Sequence, residues 1–351
     1  MTDVLIVGEG LAACVTMHVL NNRNLTFKCI GHPNQSSCSR VAAGLWNPIV
    51  FKRMTESWMA HVLIPEMKRF YADAEKRMGT RFLYEMPIVR ALPNQEAQKS
   101  WNIKSVNALA EWIQAADGLP DDAWKFTSAF PCRGYVNQTG YLDVNAFINA
   151  TLKFYAACYQ NEIFKYPQLT IHAHSIEYEG LKSKYIIFCE GYRVSENPFF
   201  NWIPLKPVKG ELITLESETL TFTNAILNSN GFLIPQTNGE YTLGATYTWD
   251  FNDEAPSLEG YQALKEKAES MVKTPFKLKA PRGGIRPASS DRRPIIGRHP
   301  VYEPLLVCNG LGAKGVMLAP FILKQLFEHI TQSLWLDDAI AIKRFYKKYS
   351  G

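Results

Sequence analysis

The stretch that decides the fold is Val4-Leu-Ile-Val7-Gly8-Glu9-Gly10-Leu11-Ala-Ala13, close to the start of a 351-residue chain. Its leading apolar run predicts a central parallel strand that is buried on both faces. Gly8 allows a tight turn, Gly10 lets the backbone approach a ligand, and Ala13 keeps the following helix close to the strand. A helical apolar pattern follows, and a second strand is predicted over residues 26–30. This order predicts a dinucleotide site, with the pyrophosphate at the helix N-terminus.

One position departs from this pattern. Dinucleotide folds usually carry Asp or Glu at the end of the second strand, where it binds the ribose hydroxyls. Here that position is Gly31, followed by His32. Either His32 or a backbone group binds the ribose instead, or the adenosine end is held more loosely. The alternative interpretation of the glycines is a close-packed turn that binds no nucleotide.

The composition limits the class of protein. The length exceeds that of a typical single domain, so we expect two domains with separate cores. The chain is 46% apolar and 20% charged, and its net charge of +5 gives by itself no argument for nucleic-acid binding. Its seven cysteines show no CxxC spacing, which predicts reduced thiols. No leader peptide or membrane span is predicted, so we expect a soluble cytoplasmic protein.

Further motifs follow the glycine turn in chain order. They are Ser39-Arg40-Val-Ala-Ala43-Gly44, Tyr185-Ile-Ile-Phe-Cys-Glu-Gly191, Pro207-Val-Lys-Gly210-Glu, Phe232-Leu-Ile-Pro235 with Leu243-Gly244-Ala-Thr246-Tyr247, Arg286-Pro-Ala-Ser-Ser-Asp291-Arg-Arg-Pro294-Ile-Ile-Gly297 and Asn309-Gly310-Leu-Gly312-Ala313-Lys314-Gly315. Together with the turn, they resemble the D-amino acid oxidase family of flavoproteins, which includes glycine oxidase and sarcosine oxidase. The resemblance extends from about residue 3 to about residue 330.

This resemblance implies an α/β (α+β two-domain) fold. A Rossmann-like FAD-binding domain, expected from residues 1–80, 134–195 and 281–351, is interleaved with an antiparallel-sheet substrate domain from residues 81–133 and 196–280. The FAD is expected to be non-covalent, because no Cys or His lies between Arg282 and Gly297, where sarcosine oxidases carry a covalent link. The residues expected at the FAD are Gly8, Gly10, Leu11, Ala13, His32, Ser39, Arg40, Ala43, Gly44, Gly191, Gly310, Gly312, Ala313, Lys314 and Gly315.

The resemblance also implies a reaction. The family oxidises the C–N bond of a small amine or amino acid by hydride transfer to flavin N5, and the imine is then hydrolysed. Arg286 matches the arginine that binds the substrate carboxylate, for which a guanidinium is well shaped. The alternative for Arg286 is a surface position in a basic stretch, since residues 277–298 hold seven Lys and Arg.

Three other residues are expected around the reacting atoms. Tyr247 is expected to point into the pocket. Phe232 replaces a tyrosine whose hydroxyl contacts the carboxylate in related oxidases, which favours a bulkier, secondary or N-substituted amine. Lys314, at the start of a long apolar helix, is expected either at the flavin edge that gains negative charge on reduction or in solvent.

Two other functions remain open from the sequence. Leu311-Gly-Ala-Lys-Gly315 resembles the oxidase domain of the bifunctional tRNA 5-methylaminomethyl-2-thiouridine enzyme, so the substrate could be a modified tRNA base. A protein of another class, which binds FAD without turning over an amine, is the third alternative. His172 and His174 share one strand face, but no nearby ligand completes a metal site, so no metal is predicted.

The apolar spacing also predicts individual elements. Helices are expected over residues 55–78, 107–116 and 257–272, from about Val144, and after Gly315. Strands are expected over 82–92, within the alternating residues 169–178, and over 185–189, 208–215, 232–235 and 241–247.

Overall fold

A computed structural model describes residues 1–31, 38–115 and 132–349 of the chain. Within these ranges its helices are α1 Leu11–Asn21, α2 Cys38–Val41, α3 Ala60–Met78, α4 Gln95–Ser105, α5 Val144–Phe154, α6 Leu258–Met271 and α7 Gly315–Gln332. Short 3-10 helices occur at Ala156–Cys158, Tyr166–Gln168, Gly191–Glu196 and Ile342–Lys348.

The strands come from all parts of the chain. In order they are β1 Thr2–Val7, β2 Phe27–Gly31, β3 Leu45–Trp46, β4 Ile49–Val50, β5 Thr55–Glu56, β6 Leu83–Glu85, β7 Ile88–Leu92, β8 Ile113–Ala115, β9 Cys132–Val136, β10 Gly140–Leu142, β11 Tyr159–Asn161, β12 Leu169–Ile171, β13 Ile176–Tyr178, β14 Leu181–Phe188, β15 Val208–Glu216, β16 Ile226–Asn228, β17 Phe232–Pro235, β18 Tyr241–Gly244, β19 Lys277–Leu278, β20 Arg282–Arg286, β21 Ile295–Arg298 and β22 Leu305–Asn309.

The first large sheet contains the glycine turn. Its order is β11-β2-β1-β14-β13-β12, and β22 pairs with the C-terminal half of β14 while β21 pairs with β22. The strands β11, β2, β1, β14 and β22 are parallel. Their carboxyl ends therefore share one edge, where ligands bind in open α/β sheets. On one face, α7 packs against both α1 and α3.

The second large sheet is mostly antiparallel. Its order is β19-β15-β18-β17-β16-β7-β9-β8, with β20 also paired to β15. The pair β16–β7 is parallel. Residues directly opposite each other across such a sheet share a face. One such row runs through Arg90, Asn228, Phe232, Gly244 and Leu212.

These two sheets confirm the predicted fold class, and several elements were predicted with nearly correct bounds. The helix near Val144 begins there because the Asp143 side chain accepts a hydrogen bond from the Ala146 backbone N–H. Ser257 caps α6 in the same way, through the Gly260 N–H.

Three other elements were predicted wrongly. The helix expected over 55–78 begins only at Ala60, because residues 55–56 pair with β4 and Met59 has a left-handed backbone (φ 52°). The strand expected over 82–92 is two strands in different sheets. Pro87, between them, has no N–H to continue a ladder.

The third wrong element is the helix expected over 107–116, of which residues 107–115 are described. Residues 107–112 form turns and Ile113 begins β8, which pairs with β9. The helix lies earlier, at α4, where the Asn94 side chain accepts from the Ala97 N–H. Cross-strand pairing thus outweighed the apolar spacing of these residues.

Candidate active site

One large cavity lies where the carboxyl ends of the parallel strands meet a face of the second sheet. Its volume is about 840 Å³, and both sheets contribute to its wall. Ligand sites commonly form clefts of this size between domains. Of the residues predicted at the cofactor, the wall includes Gly8, Gly10, Leu11, Ser39, Ala43, Gly44, Gly191, Gly312, Ala313 and Gly315. The wall does not include four other predicted residues, Ala13, Arg40, Gly310 and Lys314. His32 lies outside the described residues.

The glycine turn joins β1 to α1 as the sequence predicts. Gly8 has a positive φ (121°), and a Cβ there would lie 2.5 Å from the Cys189 carbonyl oxygen, so only glycine fits. The first turn of α1 contains no acidic residue, and the Leu11 N–H donates to the Ser39 hydroxyl (3.0 Å). This helix end borders the cavity and suits a phosphate group.

Lys314 precedes the second helix that begins at the cavity. Its ammonium group donates to the buried Ser57 hydroxyl (2.7 Å), while other parts of the residue are exposed to solvent. Burial of the ammonium end lowers the pKa of Lys314 to about 8. The contact with Ser57 holds the ammonium group within the protein, and a role for Lys314 at the flavin edge stays a prediction.

Arg286, the last residue of β20, lines the opposite part of the cavity. Its guanidinium lies over Gly210, where a Cβ would be 2.0 Å from Nη2. Its Nη1 donates to the Thr246 carbonyl oxygen (3.3 Å), and its Cζ lies 4.4 Å from the centre of the Tyr247 ring. No acidic side chain among the described residues forms an ion pair with it. The predicted pair Arg286 and Tyr247 is therefore brought together at the wall, with the guanidinium free to bind an anion.

The row across the second sheet brings further residues to the same wall. Phe232 lines the cavity beside Phe51, with ring centres 6.1 Å apart. Arg90 also lines it; its guanidinium donates to the Asn228 side-chain oxygen and lies 4.4 Å from the Phe51 ring centre. Burial lowers the pKa of Arg90. Sequence reasoning missed Arg90, although a cation within the apolar strand Ile88–Leu92 was a signal for it.

Carboxylates line the part of the cavity near the parallel strands. They belong to Glu9, Glu162, Glu190 and Glu196. Glu190 follows β14 and accepts hydrogen bonds from Tyr166 and Asn197. Burial raises the pKa of its carboxyl to about 7, against the lowering effect of both hydrogen bonds. None of these acids was predicted, because their grouping depends on strand ends that are distant in sequence.

Comparison with known proteins identifies the family. The model of the DAO family of FAD dependent oxidoreductases matches residues 3–327. The chain belongs to this family. FAD is therefore its cofactor, and the glycine turn, the helix end and the carboxylates provide groups that fit its phosphates and hydroxyls.

Two of the relatives match shorter stretches of the chain. Glycine oxidase from Bacillus subtilis is 31% identical over 116 residues, which is 32% of this chain and 31% of the relative. The tRNA 5-methylaminomethyl-2-thiouridine biosynthesis bifunctional protein from Idiomarina loihiensis is 29% identical over 150 residues, which is 41% of this chain and 24% of the relative. The matched stretch thus spans about a third or less of these relatives.

Solved structures share the fold over nearly the whole chain. Iminodiacetate oxidase from Chelativorans superposes with a TM-score of 0.80 and 16% identity, covering 96% of this chain and 98% of the other. Glycine oxidase from Bacillus cereus gives 0.75 and 19%, covering 95% and 96%. At these identities the likeness shows the fold alone.

Two further features bear on the predictions. Among the described residues, no helix combines the length and apolar character needed to cross a lipid bilayer. His174 contacts the carboxylate of Glu303 (2.7 Å) at the surface. Within residues 1–31, 38–115 and 132–349, no three His, Cys, Asp or Glu side chains group as metal ligands would.

Proposed function

We propose that this oxidoreductase oxidises the C–N bond of a small amine that carries a carboxylate, such as an amino acid or an N-substituted amino acid. The observation that carries this proposal is the position of Arg286. Its guanidinium faces the cavity, is fixed over Gly210 and on the Tyr247 ring, and has no acidic partner among the described residues. A carboxylate can bind such a group through two parallel hydrogen bonds.

The protein's part in the reaction is to bind and orient. Bound FAD supplies the acceptor for the hydride removed from the carbon next to nitrogen. Arg286 would hold the carboxylate, and Tyr247 would limit rotation of the guanidinium. Phe232 has no hydroxyl, so the substrate has one polar contact fewer than in related oxidases with a tyrosine here. It contacts an apolar ring instead. That apolar surface favours a secondary or N-substituted amine over a free one.

Arg90 favours a narrower candidate, an amine with a second anionic group. A half-buried guanidinium without a carboxylate partner is costly unless an anion binds to it. The Asn228 hydrogen bond and the Phe51 ring hold Arg90 in place before any ligand arrives. In the order of the second sheet, the strand of Phe232 lies between the strand of Arg90 and the strand of Arg286. A dicarboxylic secondary amine would place one carboxylate on each arginine.

The experiment mixes the purified yellow protein anaerobically with glycine, sarcosine, D-alanine and iminodiacetate. Bleaching of the flavin absorbance reports oxidation of the amine, and turnover of the same amines with an added electron acceptor gives kcat/KM. We expect Arg286→Gln to lower kcat/KM by roughly two orders of magnitude, because it removes a charged anchor. Arg282→Gln is the matched control, since Arg282 is exposed on the same strand, and we expect it to have no effect. Equal losses in both variants would contradict the role of Arg286.

The same panel tests the narrower candidate. Arg90→Gln should lower kcat/KM for iminodiacetate by roughly tenfold or more, while leaving sarcosine within about twofold. Equal effects on both substrates would reject a second anion site.

The two alternative functions predict other outcomes. Salt-sensitive retention of tRNA would favour a modified base as substrate. The basic residues of 277–298 do not form one free surface: Lys279 pairs with Glu216, and Arg298 lies near Glu303. Absence of bleaching with every amine and with tRNA would instead favour an FAD-binding protein without amine turnover.

A further inference from the structure

The end of β2 is shaped around a neighbouring acidic side chain. Gly31 stands where dinucleotide folds usually carry the acid that binds the ribose. A Cβ on Gly31 would lie 2.7 Å from the Cβ of Glu9 and 3.1 Å from the Gly8 carbonyl carbon. Real Cβ atoms do not approach each other so closely. Residues 9 and 31 therefore cannot both carry a side chain in this backbone.

Glu9 comes to this place through the sheet. β1 and β2 are adjacent and parallel, with Val7 opposite Ile30, so the turn after β1 reaches the same edge as the end of β2. The Glu9 side chain is only 6% exposed and lines the cavity. Its carboxylate is thus held where the missing acid of the second strand would be.

The hydrogen bonds of this carboxylate are incomplete. The Tyr159 hydroxyl donates to Oε2 (2.9 Å) and also lies 3.0 Å from the Gly31 carbonyl oxygen. Oε1 is buried and has no hydrogen-bond partner among the described residues; Arg40 Nη2 is 3.7 Å away. A buried carboxylate oxygen without a donor is costly, so a ligand hydroxyl at Oε1 would stabilise it.

We propose that Glu9, within the glycine turn, supplies the carboxylate that binds the adenosine ribose of FAD. In the usual dinucleotide fold the acid lies at the end of the second strand, whereas here it lies in the glycine turn. Gly31 has no side chain and so leaves room for Glu9. Tyr159 orients the carboxylate through Oε2, and Oε1 accepts from a ribose hydroxyl. This proposal differs from the three alternatives considered from the sequence, which were His32, a backbone group and a loosely held adenosine.

The first test is titration of the apoprotein with FAD and with FMN, which lacks the adenosine. We expect Glu9→Gln and Glu9→Ala to raise the Kd for FAD by roughly tenfold or more. The Kd for FMN should stay within about twofold, which also shows that the variants are folded. Equal weakening of both flavins, or no weakening of either, would overturn the proposal.

The second test exchanges the two side chains. Gly31→Glu alone should lose FAD binding, because its Cβ overlaps that of Glu9. The double variant Glu9→Gly with Gly31→Glu places the acid in the usual position and removes the overlap. We expect it to recover most of the FAD affinity lost by either single change. A double variant that binds FAD no better than Gly31→Glu, while still binding FMN, would contradict the exchange.

Discussion

The end of the cavity at the parallel strands and the end at the antiparallel sheet differ in charge. Four carboxylates line the first, where Arg193 is paired with Glu196 (3.5 Å). The cations Lys52, Arg90, Lys267 and Arg286 line the second, without an acidic residue among the described ones. Carboxylates accept hydrogen bonds from hydroxyl and amino groups, whereas guanidinium groups bind anions. The difference supports the proposals that the N-terminus of α1 binds the phosphates and that the substrate is an anion.

The difference between the acidic and basic ends of the cavity is tested most strongly by a substitution at Gly210. In Gly210→Ala the new Cβ would overlap the Arg286 guanidinium, which is the far end of a long side chain and can be displaced. The guanidinium should therefore shift without unfolding the protein. We expect KM for carboxylate-bearing amines to rise roughly 10- to 100-fold, as for one lost charge-assisted hydrogen bond.

Thermal unfolding of Gly210→Ala is the control and should be nearly unchanged. A fall in Tm together with an unchanged KM would show that the basic end does not select the substrate through Arg286.

A smaller effect is expected at the acidic end, from Glu190. Its pKa is about 7 in the folded protein and lower when unfolded, so the folded state binds more protons between pH 5 and 7. Stability should therefore fall as pH rises through this window. Glu190→Gln should remove this fall, a difference on the order of 1 kcal/mol in the free energy of unfolding. Denaturant unfolding at pH 5 and pH 7 measures it, and parallel pH profiles would refute the assignment.

The smallest effect is expected from Tyr159→Phe. The variant loses the hydroxyl that contacts Glu9 Oε2 but keeps the carboxylate. We expect the Kd for FAD to rise by about three- to tenfold, the value of a single hydrogen bond. A loss larger than that of Glu9→Ala would make Tyr159, and not Glu9, the main determinant of the acidic end.

The sequence predicts an element best where residues close together in the chain are enough to determine it. The unit around Gly8 needs only an apolar run and small residues, and α5 and α6 are fixed by caps at Asp143 and Ser257. The strand β20 was not predicted, because Gly283 and Gly284 have low strand propensity and the strand forms by pairing with β15.

The site was predictable only in part, because some of its residues act through neighbours on other strands. Arg286 and Tyr247 lie in motifs that can be recognised along the chain. The roles of Arg90 and Glu9 depend on neighbours across strands, Asn228 in one case and Gly31 in the other. Such pairings are set by register, which no local pattern of one segment specifies.

The interleaved order of the strands has a consequence for synthesis of the chain. In the first sheet, β1 pairs with β14, whose other neighbour β22 ends at Asn309, and α7 packs against α1 only after that. The glycine turn is made before its lasting neighbours, β14 and α7, which follow about 180 and 300 residues later. Contacts so distant in sequence form slowly. The FAD site around the glycine turn should therefore be among the last parts of the protein to form. We expect that a nascent chain that stops before β22 does not bind FAD.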